Sequence, residues 1–342
     1  MSIDLIGIMD KVTRMVTYDS IVFTRCPVPT ATGIAADLGW LAEEFARYGI
    51  GVSSLQDGTR DVAAEIHYTH AHPGLFREGG NVPALWARSR GEPTRLIGLT
   101  WIEERQAILV RPDSEISQPA QLKGARLAIP RHDVSIDFWR AMALHGFAGA
   151  LSLAGLSLAD ATPTDIAADR GAGQWGTEIA ALARGEVDAV YVKGAVAAET
   201  AARLGVRTGI DLDAVPDKRA RVNNGTPRPI TVHQRLLDER PDLVVRFLEV
   251  LLRAADWAAA NPADVARILA AETGSGPAGV TAAYQHAGQF RTLHADLSAE
   301  RLELLAEQEF FLRQHGFLAG PVDVQAWADH IPLETALTGV SA

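Results

Sequence analysis

The stretch Gln121-Leu122-Lys123-Gly124-Ala125-Arg126-Leu127-Ala128-Ile129-Pro130 carries a short apolar run, Arg126–Pro130, of the length and composition of a buried strand. The helical spacing of Ile136 to Ala150 follows it. Outward from this pair the same alternation continues, with strand-like runs at Val16–Thr24, Ile50–Leu55, Thr94–Trp101, Gln106–Arg111, Val187–Lys193 and Pro229–Gln234. Pro29 to Tyr48 reads as helical with a break near Gly39. Strands alternating with helices predict an α/β architecture of largely parallel sheets covered by helices, rather than a sandwich or a bundle.

The last third of the chain is almost all helical in pattern. Pro241 opens a helix with Leu243, Phe247, Leu251 and Ala254 on one stripe, Asn261-Pro262 stops it and caps the next, and Ser298 begins a third that ends at Gly316. A chain of 342 residues has enough sequence for about two domains. No low-complexity linker separates them, which predicts a chain that crosses between lobes at a hinge more than once.

Charge and cysteine content narrow the function classes. Forty-two acidic against 32 basic residues give a net charge of −10, which repels the phosphate backbone and argues against nucleic acid as a partner. No apolar run approaches the roughly 18 residues that membrane insertion requires. The N-terminal run Leu5 to Met9 is bounded by Asp4 and Asp10 and is too short for a signal-peptide core, so a cytoplasmic location is expected, or a periplasmic one for a trimmed mature form. A single cysteine excludes an internal disulfide and a cysteine-rich metal site.

Three segments resemble substrate-binding proteins of the type II periplasmic-binding-protein kind: Gln121–Pro130, Gly185-Glu186-Val187-Asp188-Ala189-Val190, and the stretch from Arg240-Pro241-Asp242 through Asn261-Pro262. The resemblance implies a clamshell of two α/β lobes with mixed, mostly parallel sheets and a helical C-terminal region. Lobe one is expected at 16–109 plus 225–342 and lobe two at 110–224, with a ligand cleft between them.

Two stretches carry chemistry. Cys26, in Phe23-Thr24-Arg25-Cys26-Pro27-Val28-Pro29-Thr30, sits at a strand end before a helix that Pro29 could open, where the dipole and neighbouring cations lower a thiol pKa from about 8.5 toward 7 or below. Against this stands the ordinary reading of a free cysteine as a small buried hydrophobe. Further on, Glu65-Ile66-His67-Tyr68-Thr69-His70 leads through His72 to Arg77-Glu78-Gly79-Gly80 and a short helix. Arginine with glycine amides at a helix start suits an oxyanion, whereas an isolated Arg-x-Gly-Gly is as easily a turn with a solvated arginine. His67, His70 and His72 lack a completing carboxylate or cysteine group for a metal, so no metal or other cofactor is expected, and His70 and His72 read as surface or loop residues.

Taken together, Cys-Pro-Val-Pro followed by His-x9-Arg-x-Gly-Gly closely resembles the 2′-hydroxybiphenyl-2-sulfinate desulfinase family. The resemblance implies catalytic Cys26, His67 and Arg77, with Gly79 and Gly80 supporting a sulfinate and Trp139 matching an aromatic residue of the pocket; Tyr68, Lys193 and Trp175, the last read in the helix before Ile179 and equally as core, are further candidates for the substrate site. It implies cofactor-independent hydrolysis of an organic, probably aromatic sulfinate. The departure is Val192-Lys193-Gly194-Ala195-Val196-Ala197, where the family is expected to be tryptophan-rich; Lys193 there could meet a second polar or anionic group. The alternative is a non-catalytic binding protein that presents a sulfonate, sulfinate or similar small anion to an ABC permease.

Overall fold

The computed structural model describes residues 18–169, 173–284 and 289–340. Val16 and Thr17 of the first expected strand, and the run Leu5 to Met9, lie outside the described residues. Ten strands form two five-stranded sheets. They are β1 Ser20–Phe23, β2 Gly51–Ser54, β3 Leu75–Glu78, β4 Thr94–Thr100, β5 Gln106–Val110, β6 Arg126–Arg131, β7 Thr162–Ala167, β8 Ala189–Lys193, β9 Arg207–Asp211 and β10 Arg228–His233. The sheet orders are β2-β1-β3-β10-β4 and β7-β6-β8-β5-β9.

Both sheets are mixed in the same way. In the first, β1 pairs in parallel with β2 and β3 while β10 pairs antiparallel with β3 and β4. In the second, β6 pairs in parallel with β7 and β8 while β5 pairs antiparallel with β8 and β9. The chain builds β1 to β4 in the first sheet, β5 to β9 in the second, and returns with β10 to the first, so it crosses between the sheets twice. The first crossing lies before Gln106, because β5 is bonded into the second sheet; the boundary expected after residue 109 therefore falls inside a strand of that sheet.

Each sheet has its own apolar core. Around the first, the helix Pro241–Ala260 buries Leu243, Phe247, Leu251 and Ala254, and Phe76 of β3 stacks on Phe247 with ring centroids 4.1 Å apart. The second core gathers β5, β6 and β8 against the helix Phe138–Ser152. The two sequence segments that flank this core meet directly: Arg126 at the start of β6 donates to both carboxylate oxygens of Asp188, at 3.0 and 2.7 Å, and to the Gly185 carbonyl at 3.0 Å. Bidentate geometry of this kind fixes the register of β6 beside β8.

Three strands fall outside the expected set, for two reasons. β7, Thr-Pro-Thr-Asp-Ile-Ala, and β9, Arg-Thr-Gly-Ile-Asp, are sheet edges, where polar residues, proline and glycine are tolerated because one face and one rim meet water. β3, Leu-Phe-Arg-Glu, is the opposite case. It is central and wholly buried, and its two charged residues hide it from any hydrophobic pattern.

Candidate active site

β3 builds the site because alternation sends its charged neighbours to opposite faces of the sheet. On the side of Phe76, the Glu78 carboxylate accepts from the Thr32 amide at 2.9 Å, the Thr32 hydroxyl at 2.7 Å and the Thr100 hydroxyl at 2.9 Å. That carboxylate is spent on pinning the helix Ala31–Asp37 and β4. Arg77 points the other way, fully buried, toward the helix Arg60–Thr69. Its Nε donates to the His67 carbonyl at 3.0 Å, an Nη donates to His67 Nε2 at 3.3 Å, and the other Nη has no partner among the described residues.

No carboxylate pairs with this guanidinium among the described residues. Burial drives the Arg77 pKa down to about 9, nearby Cys26 acts in the opposite direction, and Arg228 adds to the depression. A buried cation in this state is costly, and an anionic ligand would relieve it. His67 is held strongly toward its neutral form, first by burial and then by Arg77, His70 and Arg228. Because Arg77 can only donate, His67 Nε2 accepts and the ring proton sits on Nδ1, which is buried without a partner.

Cys26 is half-buried, and its thiol donates to the Glu78 carbonyl at 3.7 Å. The start of the helix after Cys26 is corrected: it begins at Ala31 rather than at Pro29, Thr30 caps it by accepting from the Gly33 amide, and Glu78 accepts from the Thr32 amide. The glycine pair is also corrected in detail. The Gly79 amide donates to the Pro229 carbonyl at 3.2 Å, leaving the Gly80 amide as the one without an acceptor among the described residues. Gly79 matters for space instead: a Cβ there would stand 2.5 Å from Arg77 Cζ, so the guanidinium lies where any side chain would be. A Cβ on Gly80 would meet the Asn224 amide at 2.3 Å.

Beside this polar group runs a row of rings. His67 meets Tyr68 edge-on at 5.7 Å, Tyr68 meets Phe138 at 6.2 Å, Phe138 meets Trp139 at 4.9 Å, and Trp139 meets Trp175 edge-on at 5.4 Å. His67 and Tyr68 are on the first-sheet side, Trp139 and Trp175 pack with the second core, and Phe138 packs against both. A cleft of about 680 Å³ opens along this row, lined by Tyr68, Trp139, Trp175, His132 and Glu178 among others. Cys26, His67, Arg77, Gly79, Gly80 and Lys193 do not line it; Tyr68 is the link between cleft and polar group. Trp175 lies outside the helix that follows it. It precedes the helix Gly176–Ala183 in a left-handed conformation, φ 60°, buried against Tyr191.

Two other expectations need correction, for Lys193 and His70, while His72 lies in a loop as expected. Lys193 is ion-paired with Glu104, which also accepts from the Tyr284 hydroxyl at 2.8 Å, so its charge is neutralised within the protein. His70 is buried rather than superficial: it closes the helix Arg60–Thr69 in a left-handed conformation, with Nε2 3.4 Å from the Thr231 hydroxyl. His72 accepts from the Gly74 amide at 3.1 Å, so the three histidines serve Arg77, Thr231 and a turn separately.

Sequence reasoning missed Arg228, which stands just ahead of the expected strand at Pro229 and is 4% exposed. Its one signal is its place between Pro227 and Pro229, where a charged residue inside a rigid segment is unlikely to be incidental loop.

Comparisons with known proteins agree with this architecture. The family model described as NMT1/THI5 like matches residues 30–265. The 2′-hydroxybiphenyl-2-sulfinate desulfinase of Rhodococcus erythropolis is 29% identical over 349 residues, covering 91% of each chain. A crystal structure of a cysteine-to-serine mutant of DSZB in complex with biphenyl-2-sulfinic acid superposes with a TM-score of 0.74 at 26% identity, covering 94% of this chain and 99% of that one. The periplasmic aliphatic sulphonate-binding protein SsuA from Escherichia coli shares the fold at a TM-score of 0.68 and 16% identity, over 91% of this chain and 92% of its own. The chain is a type II periplasmic-binding-protein-like α/β protein and belongs to the NMT1/THI5-like family.

Proposed function

We propose that the protein is a desulfinase that hydrolyses an organic sulfinate to the desulfurised product and sulfite. The observation that carries this reading is Arg77: a buried guanidinium with no carboxylate partner among the described residues, with a free donor and Cys26 close enough to influence its charge. Arg77 and the Gly80 amide hold the sulfinate oxygens; His67, through two bonds to Arg77, positions the guanidinium. The reaction balances as R–SO2⁻ with water giving R–H and HSO3⁻. The carbon–sulfur bond breaks, carbon gains a proton and sulfur gains a hydroxyl. Cys26 is the group for the bond-breaking step, either by attack at sulfur or by protonation of carbon. The aromatic row from Tyr68 to Trp175 suits an aromatic substituent.

The sulfonate-binding fold of SsuA supports a second reading, a carrier of a small anion for an ABC permease. Cys26 separates the two, since a carrier has no use for a nucleophile. Purified protein, without metal or cofactor, should release sulfite from at least one sulfinate in a panel, and Cys26→Ser should abolish release while leaving calorimetric affinity within a few-fold. Serine keeps the shape but is a far weaker acid and nucleophile. Tight binding with no sulfite from any member, unchanged by Cys26→Ser, would make the protein a carrier.

A further inference from the structure

Two buried arginines without ion pairs stand in this region, and one sulfinate accounts for only one of them. β10 runs antiparallel to β3 with Ile230 opposite Glu78 and Thr231 opposite Arg77. Two residues earlier on β10, Arg228 therefore comes level with Gly80, and the bond from the Gly79 amide to the Pro229 carbonyl carries the pairing to that point. Arg228 is 4% exposed, its Nε is buried without a partner, and no carboxylate pairs with it among the described residues. Its Nη1 lies 3.7 Å from the position a Gly225 Cβ would take, and Lys193 Nζ lies 3.2 Å from the same point, so the two cations flank one glycine.

Their circumstances differ. Lys193 is ion-paired with Glu104, while Arg228 lies near the charge of Arg77 and has no ion pair among the described residues. A monoanion at Arg77 would leave one buried positive charge uncompensated beside it, at continuing cost. A ligand with two anionic groups would satisfy both. Resting on the sulfinate reading above, we infer that the substrate is dianionic: a sulfinate held by Arg77 and Gly80, with a carboxylate elsewhere on the same carbon skeleton held by Arg228. The second anionic contact that Lys193 could have supplied is thus assigned to its unpaired neighbour.

The test is calorimetric titration of the full chain with benzenesulfinate and its ortho-, meta- and para-carboxylated forms, using wild type, Arg228→Gln and Arg228→Lys. At least one carboxylated isomer should bind wild type about tenfold to hundredfold more tightly than benzenesulfinate, the scale of a charged hydrogen bond. Arg228→Gln should erase most of that advantage and affect benzenesulfinate far less, and Arg228→Lys should restore part of it. Ligand-free thermal stability of Arg228→Gln should equal or exceed wild type, because a buried unpaired charge is removed; a purely structural role would lower it. The inference is overturned if no isomer gains affinity, or if Arg228→Gln weakens all four ligands by one factor, which would place Arg228 on the sulfinate itself. Sulfite measured in the same samples separates the two readings: a carboxylate preference without sulfite defeats the desulfinase alone, and no binding of any sulfinate defeats both.

Discussion

Lys193, largely buried, and Arg77, fully buried, are both cations in the interior of this protein, and the chain treats them in opposite ways. Lys193, at the end of β8, is ion-paired with Glu104, which Tyr284 also supports. Arg77, in the middle of β3, has a glutamate as its next residue and makes no use of it, because the pleat turns Glu78 toward Thr32 and Thr100. The first arrangement is closed and serves the fold. The second has no carboxylate among the described residues and keeps one donor without a partner there. What distinguishes the two cations is the partner each one has, because an unpaired charge in the interior is the costlier of the two.

The widest separation between the two should appear in stability. Removing Glu104 strands a buried lysine, so Glu104→Ala should cost about 3–5 kcal/mol in urea denaturation. Arg77→Met removes a charge that had no partner and should be neutral or stabilising by the same measurement. Equal losses in both variants would break the comparison.

Binding should invert the ranking. Arg77→Met should weaken aryl sulfinates about tenfold to hundredfold in calorimetry, whereas Lys193→Met should change affinity by less than about threefold. Gly79→Ala approaches the same point by steric means: its Cβ would occupy the space of Arg77 Cζ, so sulfite release should fall by roughly a hundredfold through displacement of the guanidinium. Activity near that of wild type would show that Arg77 can do its work from elsewhere.

His67 sharpens the same contrast. Geometry makes it the support of Arg77, so His67→Ala should weaken sulfinate binding about tenfold while the shape of the pH–rate profile is retained. A lost limb in that profile would instead make His67 a proton carrier.

A further contrast concerns acid. His145, on the helix Phe138–Ser152, stacks on Phe311 with centroids 4.1 Å apart and bonds to Gln308 of the helix Ala299–Gln314; burial lowers its pKa to about 4. A histidine kept neutral by folding takes up its proton first in the unfolded chain. Its contribution is therefore complete above about pH 6.5 and falls by about 1.4 kcal/mol per pH unit on acidification toward pH 4. Glu272, raised to about 7, and Asp213, raised to about 6, run in the opposite sense, because their folded forms hold the proton longer. The His145→Leu variant should lose one proton's worth of slope between those limits relative to wild type, and an unchanged slope would remove His145 from the balance.

The sequence by itself determined the parts that repeat or that carry their own start and stop signals. Alternating apolar runs and helical stripes indicated two α/β lobes, and Pro241, Asn261 and Ser298 marked the C-terminal helices, whereas the grouping of Cys26, His67 and Arg77 was implied only by the family resemblance. Tertiary structure decided what depends on which face a residue takes and what already occupies its neighbours. Only the pleat of β3 separates Arg77 from Glu78, only the pairing of β3 with β10 brings Arg228 level with Gly80, and only the approach of Glu104 silences Lys193. Residue type and spacing specify which charges a chain carries, but whether a buried charge is neutralised depends on groups that lie up to 180 positions away, as Tyr284 does from Glu104, and these meet only in the folded molecule.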